Sequence, residues 1–184
     1  MKLKQFVIAA TTIFCAMPAS AATYGGVNFP SGINSFADRI AFSQLGELNS
    51  NRSYTLGVTD PDTATGAPDF DPNASAQDNI GTFYTMGPGG TMTLQFVDNA
   101  LTGSDSSALD LWIFEIGPDV EDTEVKISRD NQTFFSVGRV GGSTSGIDID
   151  PFLASQNLDP FTQFSYVMLT DVLGEGEGPG ATSG

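Results

Sequence analysis

The sequence predicts an all-β protein, an antiparallel β-sandwich of jelly-roll type, on three observations. Apolar and polar residues alternate over several short stretches, the period-2 signature of strands with one buried face. Turn-forming residues recur between those stretches, with 21 Gly and 10 Pro in 184 residues. Beyond the N-terminal leader, no stretch repeats apolar residues at helical spacing for long. Short strands separated by turn signals at even spacing are the pattern of sandwiches and jelly rolls.

The most informative stretch is 89–115, GGTMTLQFVDNALTGSDSSALDLWIFE. Met92, Leu94 and Phe96 alternate with Thr91, Thr93 and Gln95, a strand with one face buried. Leu109, Leu111, Trp112, Ile113 and Phe114 form a nearly continuous apolar run, which suits a strand covered on both sides. Between them lie Asp98, Asn99, Asp105, Ser106, Ser107 and Asp110, so oxygen-bearing side chains crowd the rim of two strands. If the two strands are antiparallel neighbours, the loop brings Asp98 and Asn99 to Asp110.

The other elements follow in order. Residues 22–34 are rich in Gly, Asn, Ser and Pro and read as a loop leading into the domain, which spans 35–173. Phe36, Ile40 and Phe42 share a parity, so 35–42 reads as a first strand or as a short helix starting at Ser35. Residues 49–58 form a weak strand or an extended link. Residues 59–79 lack apolar periodicity and carry Asp60, Asp62, Asp69, Asp71 and Asp78. A loop of that length is functional or disordered, and its five like charges repel unless a cation relieves them. A strand over 80–86 and the turn Gly87-Pro88-Gly89-Gly90 make a hairpin with the strand that follows. Gly117-Pro118-Asp119 is a further turn. Val125 and Ile127 alternate with Glu124, Lys126 and Ser128, residues 129–132 form a hairpin tip, and 133–140 returns. Residues 141–146 read as a polar loop. Ile147-Asp148-Ile149-Asp150 alternates and puts Asp148 and Asp150 on one face. Residues 151–160 hold one helical turn, and 161–170 is the last clear strand. Residues 174–184 form a glycine-rich tail, read as an internal loop of a longer chain that leads to a closing strand.

Composition excludes several functions. The formal charge is −15, with seven Lys and Arg against 22 Asp and Glu. Lys2, Lys4, the apolar run 6–17 and Pro18-Ala19-Ser20-Ala21 make a secretory signal peptide over 1–21. Its removal leaves a charge of −17 and no cysteine, so no disulfide stabilises the exported chain. Nucleic acid and anionic membranes are excluded as partners, since both need clustered Lys and Arg. Histidine is absent, which removes Ser-His-Asp and Cys-His catalysis and histidine-built zinc sites. Two carboxylates could still serve a glycosidase, with Glu115 and Asp110 as nominees. Trp112 and the phenylalanines could stack on sugars, but their place in apolar runs points to core packing.

Oxygen chemistry remains, and it favours calcium, which takes six to eight oxygens at about 2.3–2.6 Å. No EF-hand run is present, so a site would be assembled from separate loops. The expected ligands are Asp98, Asn99 and Asp110, with Asp69 from the long loop. The alternative role for all four is to cap strands and solvate turns.

Five motifs occur in sequence order: Ser35-Phe36-Ala37-Asp38, Gly66-Ala67-Pro68-Asp69, residues 89–99, Asp110-Leu111-Trp112-Ile113-Phe114-Glu115 and residues 166–171. Together they resemble a family of bacterial secreted or cell-surface modules, which are similar to the core protein of the sponge aggregation factor, a calcium-dependent adhesion proteoglycan. The resemblance covers 35 to the end. It implies a β-sandwich with a surface role and supplies no ligand residues. The expectation is a secreted, non-catalytic, calcium-stabilised adhesion module that contacts extracellular glycans or surface proteins. Its rivals are a secreted carbohydrate-active enzyme and a passive spacer domain of a larger anchored surface protein. Export is directly checkable: N-terminal sequencing of the secreted protein should start near Ala22, and an intact Met1 chain in the medium would contradict it.

Overall fold

A computed structural model describes residues 20–46, 60–71, 73–75, 77–116, 122–142 and 144–172. The leader up to residue 19, the weak strand 49–58, the turn 117–119 and the tail 174–184 lie outside the described residues. Among the described residues nine strands and one α-helix follow in order: β1 (Ala22–Tyr24), β2 (Val27–Phe29), β3 (Arg39–Gln44), β4 (Thr91–Gln95), β5 (Leu111–Phe114), β6 (Thr123–Ser128), β7 (Phe134–Val140), β8 (Thr144–Ile147), α1 (Asp150–Ser155) and β9 (Tyr166–Asp171). A five-stranded sheet has the order β3-β4-β9-β6-β7. Two-stranded sheets pair β5 with β8 and β1 with β2. Every pairing is antiparallel, so the predicted all-β class is the class observed.

Alternation explains which side of the large sheet is dry. Leu94 sits opposite Val167, which sits opposite Ile127, and Met92 sits opposite Leu169, which sits opposite Val125. All six are buried. The other face carries Thr91, Thr170 and Glu124 in one row, with a 3.2 Å contact between the threonine hydroxyls. Lys126 pairs with Glu124 at 3.1 Å on that face. β5 and β8 cover the apolar side through Leu111 and Ile147, which are directly opposite each other and buried. Ile149, Leu153 of α1, Leu101 and Phe164 complete the core between the layers. Phe164 and Leu101 exchange both backbone hydrogen bonds, at 2.9 and 3.0 Å.

The first hairpin turns at Gly25 and Gly26, both at positive φ (53° and 83°), the conformation a two-residue turn needs. A Cβ on Gly25 would also overlap the Phe114 ring. The hairpin is held by an aromatic cluster in which Phe29 and Tyr24 each stand 5.0 Å from Phe36 and Phe29 lies 6.1 Å from Phe114.

Several local expectations are corrected. Residues 22–34, read as a loop, hold β1, β2 and the start of a 3-10 turn, Gly32–Ser35. Residues 35–42 hold strand from Arg39 onward, and a bulge between Ile40 and Phe42 turns Phe42 outward, leaving it 48% exposed. Residues 80–86 form no strand: Thr82 N–H donates to Asn79 at 3.0 Å and its hydroxyl does so at 2.9 Å, winding the chain into a turn. β4 and β5 are not neighbours, since β4 pairs with β3 and β9 while β5 lies in the other layer. The polar stretch 141–146 contains most of β8. Its glycine is a packing requirement, because a Cβ on Gly146 would overlap Leu109 and press on the Trp112 ring.

Phe164 is 0% exposed and joins both layers. Phe164→Ala should cost about 3–5 kcal/mol in urea unfolding. A loss under about 1 kcal/mol would show that the packing drawn here is not what holds the layers together.

Candidate metal centre

Among the connections that cross from one sheet to the other are 96–110, between β4 and β5, and 148–165, between β8 and β9. These two run side by side. Besides the Leu101–Phe164 bridge, Gly103 N–H donates to Pro160 carbonyl at 2.9 Å, and Asp110 N–H donates to Ile147 carbonyl at 2.9 Å. This alignment brings Asp110 from the first connection against Asp148 and Asp150 from the second.

Asp110, Asp148 and Asp150 each place a carboxylate oxygen within 4.8 Å of the other two, and all three are half-buried. Each also commits an oxygen to the backbone. Asp110 Oδ2 accepts from Ile149 N–H at 3.0 Å, and Asp148 Oδ1 accepts from Asp150 N–H at 2.9 Å. Asp150 Oδ2 accepts from the N–H groups of Ser104 (3.2 Å) and Ser106 (2.9 Å) and from the Ser104 hydroxyl (3.3 Å). Asp150 Oδ1 is buried and accepts no hydrogen bond. It fits there because residue 103 is glycine: a Cβ would overlap Oδ1. Two oxygens on one calcium ion are at most about twice 2.3–2.6 Å apart, so three within 4.8 Å can share one ion.

Like charges this close have an electrostatic effect. Burial pushes the Asp110 carboxyl above its ordinary value, and the charges of Asp150 and Asp148 add to the rise. Hydrogen bonds from the Ile149 N–H and from Ser104 work against it. At the β6–β7 hairpin tip the sign is opposite. Asp130 Oδ1 accepts from Thr133 N–H (2.8 Å) and Gln132 N–H (2.9 Å), and these bonds hold its carboxyl below the ordinary value.

Of the four residues expected from sequence, only Asp110 joins the carboxylate group. Asn99 and Asp69 line the same interlayer cavity as Asp110, whereas Asp98 stands exposed on the turn after β4. That turn is tied by Asp38, whose carboxylate takes Val97 N–H at 2.6 Å. Asn99 donates through Nδ2 to Asn34 carbonyl. β4 and β5 lie in different sheets, so Asp98 and Asn99 are not brought to Asp110 as the ends of neighbouring strands. Three carboxylates of the long acidic loop bond within the loop. Asp60 caps the 3-10 turn Pro61–Ala64, Asp71 accepts from Asn73 N–H at 2.8 Å, and Asp78 accepts from the Ser75 hydroxyl at 2.6 Å. Buried Asn79 holds that loop through bonds to both backbone groups of Asp71. Glu115, nominated with Asp110 as a glycosidase pair, also lines the cavity. Asp148 and Asp150 were missed as ligands, although the alternation over 147–150 places them on one face. Compared with protein-family models, curated proteins and solved structures, the chain matches none.

The raised Asp110 carboxyl fixes a sign. The folded state binds this proton more tightly than the unfolded chain does. Its contribution to stability is therefore full below about pH 3.9, the unfolded value, and is lost as pH rises through the folded value. In EDTA, Asp110→Asn should melt at or above the unmodified protein near pH 7, with the gap closing toward pH 3. Asp130 should show the reverse: its stabilisation is present above the unfolded value and is lost on acidification. Thermal melts from about pH 3 to 7 check both. A large loss of melting temperature for Asp110→Asn near pH 7 would contradict the assignment.

Proposed function

We propose that this chain is a secreted, non-catalytic binding module that holds calcium at Asp110, Asp148 and Asp150 and acts in adhesion, contacting glycans or surface proteins. The observation that carries the calcium reading is the meeting of three carboxylates from two separate connections, one of them Asp150, which has an oxygen without a donor. A divalent oxygen-seeking cation offsets their mutual repulsion. The remaining coordination positions fall to backbone carbonyls and water. The surface role is supported by the acidic composition, the leader pattern and the ordered motifs from Ser35 onward. The absence of histidine supports a non-catalytic role.

The ion would act as a cross-link between the two connections that position the second layer. Binding to the folded state alone, with free calcium at about 100 times the dissociation constant, adds roughly 2.7 kcal/mol. That corresponds to a rise of roughly 5–15 °C in melting temperature for a domain of this size. Titration calorimetry on the secreted protein should show a saturable calcium heat, lost in Asp148→Asn with the fold retained by circular dichroism. Gly103→Ala, which displaces the Asp150 carboxylate, should weaken calcium binding without removing any ligand. No heat, and no calcium-dependent rise in melting temperature, would overturn the reading.

A further inference from the structure

The two layers do not close on each other along their whole length. A cavity of about 840 Å³ lies between β4 and β9 on one side and β5 on the other, with the loops 63–70 and 82–87 as further walls. Its volume is that of a small-molecule pocket. Its floor is apolar, with Met92, Leu94, Leu111, Val167 and Leu169. Its walls are aromatic: Phe36, Tyr84, Phe96, Trp112 and Phe114, with Phe70 and Phe83 edge to face 6.1 Å apart.

The charged groups on the described lining share one sign. Asp69, Asp110, Glu115 and Asp171 line the cavity, and none of its described lining residues is Lys or Arg. The described bases lie elsewhere: Arg39 is bonded to Gln95 at 2.9 Å, Lys126 to Glu124, Arg129 lies at the hairpin tip and Arg139 on β7. Asn99, also on the lining, has a buried Oδ1 that accepts no hydrogen bond. An anion here would meet Asp69 and Asp110 with no Lys or Arg among the described lining residues. A purely apolar ligand would desolvate Asp110 without pairing it. A cation on an apolar body satisfies every part: carboxylates for its charge, aromatic faces for cation–π contact, and an apolar floor for the body.

We propose that this cavity binds an organic cation, a protonated amine carried on a ring or a short alkyl chain. The proposal goes beyond the calcium reading and shares Asp110 with it, and its test separates the two because it is run both in EDTA and with calcium. Trp112 is the one tryptophan of the chain and lines the cavity, so its emission reports occupancy directly. The full chain is titrated with phenylpropylamine, phenylpropanol and phenylpropionate, which share one body and differ in head charge. The amine should give a saturable emission change in EDTA, at least about tenfold tighter than the alcohol, and the acid should give none. Asp69→Asn, on an exposed loop, should weaken the amine about 3–10-fold and leave the alcohol unchanged. Equal responses to all three probes, no response to any, tighter binding of a neutral sugar than of the amine, or full amine affinity in the Asp69→Asn/Asp110→Asn double variant would each overturn the proposal. Loss of calcium binding with amine binding retained would overturn the calcium reading and leave this one standing.

Discussion

The Asp150 carboxylate is the joint on which this architecture depends. Of the connections between the large sheet and the small one, 96–110 leads from β4 to β5 and 148–165 leads from β8 back to β9. Left alone, two connections of that length would be polar and free to drift. Asp150 removes that freedom by accepting from Ser104 and Ser106 across the gap between them, at the first turn of α1. The Leu101–Phe164 bridge continues the alignment one step toward the core, and the Asp110–Ile149 bond continues it toward β5 and β8. The core side chains then pack on a frame whose connections are already in register. The same bonding draws three carboxylates together, so the candidate metal centre is a by-product of how the layers are joined.

How much of this was legible in the sequence depends on the scale of the signal. Alternation in 91–96 and 123–128 identified β4 and β6, because burial on one face writes a period of two into the residues, and β7 was legible as the return arm of the hairpin over 133–140. The hairpin tip at Asp130 and Asn131 was legible from turn chemistry, and Asn131 has the positive φ (59°) that such a position asks for. β8 was not legible. Its residues Thr144–Ile147 carry almost no apolar pattern, and it exists because the backbone of β5 lies beside it and because Gly146 leaves room for Trp112 and Leu109. The strand expected over 80–86 failed for the opposite reason: Asn79 supplies local hydrogen bonds that compete with a ladder.

The candidate site was half legible. Asp110 was found because it opens an apolar strand. Its partners were assigned to Asp98 and Asn99 on the premise that successive strands pair, a good general rule that this chain breaks at β4 and β5. Asp148 and Asp150 lie 38 and 40 positions from Asp110, and only the side-by-side run of the two connections makes them neighbours. The acidic loop over 60–79 teaches the complementary lesson. A count of charges points to a cation, yet Asp60, Asp71 and Asp78 bond to N–H and hydroxyl groups of their own loop.

The strand order sets the timetable of folding. β9 is the last of the described strands to be synthesised, and it lies at the centre of the five-stranded sheet, between β4 and β6. Until it emerges, β3 with β4 and β6 with β7 are two separate pairs, each with an edge that the finished sheet hides. Apolar Met92, Leu94, Val125 and Ile127 stay uncovered for the same interval, and unpaired edges of this kind are sites of misassociation. The sheet therefore closes only after most of the chain is complete, by insertion of one strand into a waiting gap. A chain that crosses a membrane unfolded and folds on the far side meets that requirement without a partly closed sheet forming first.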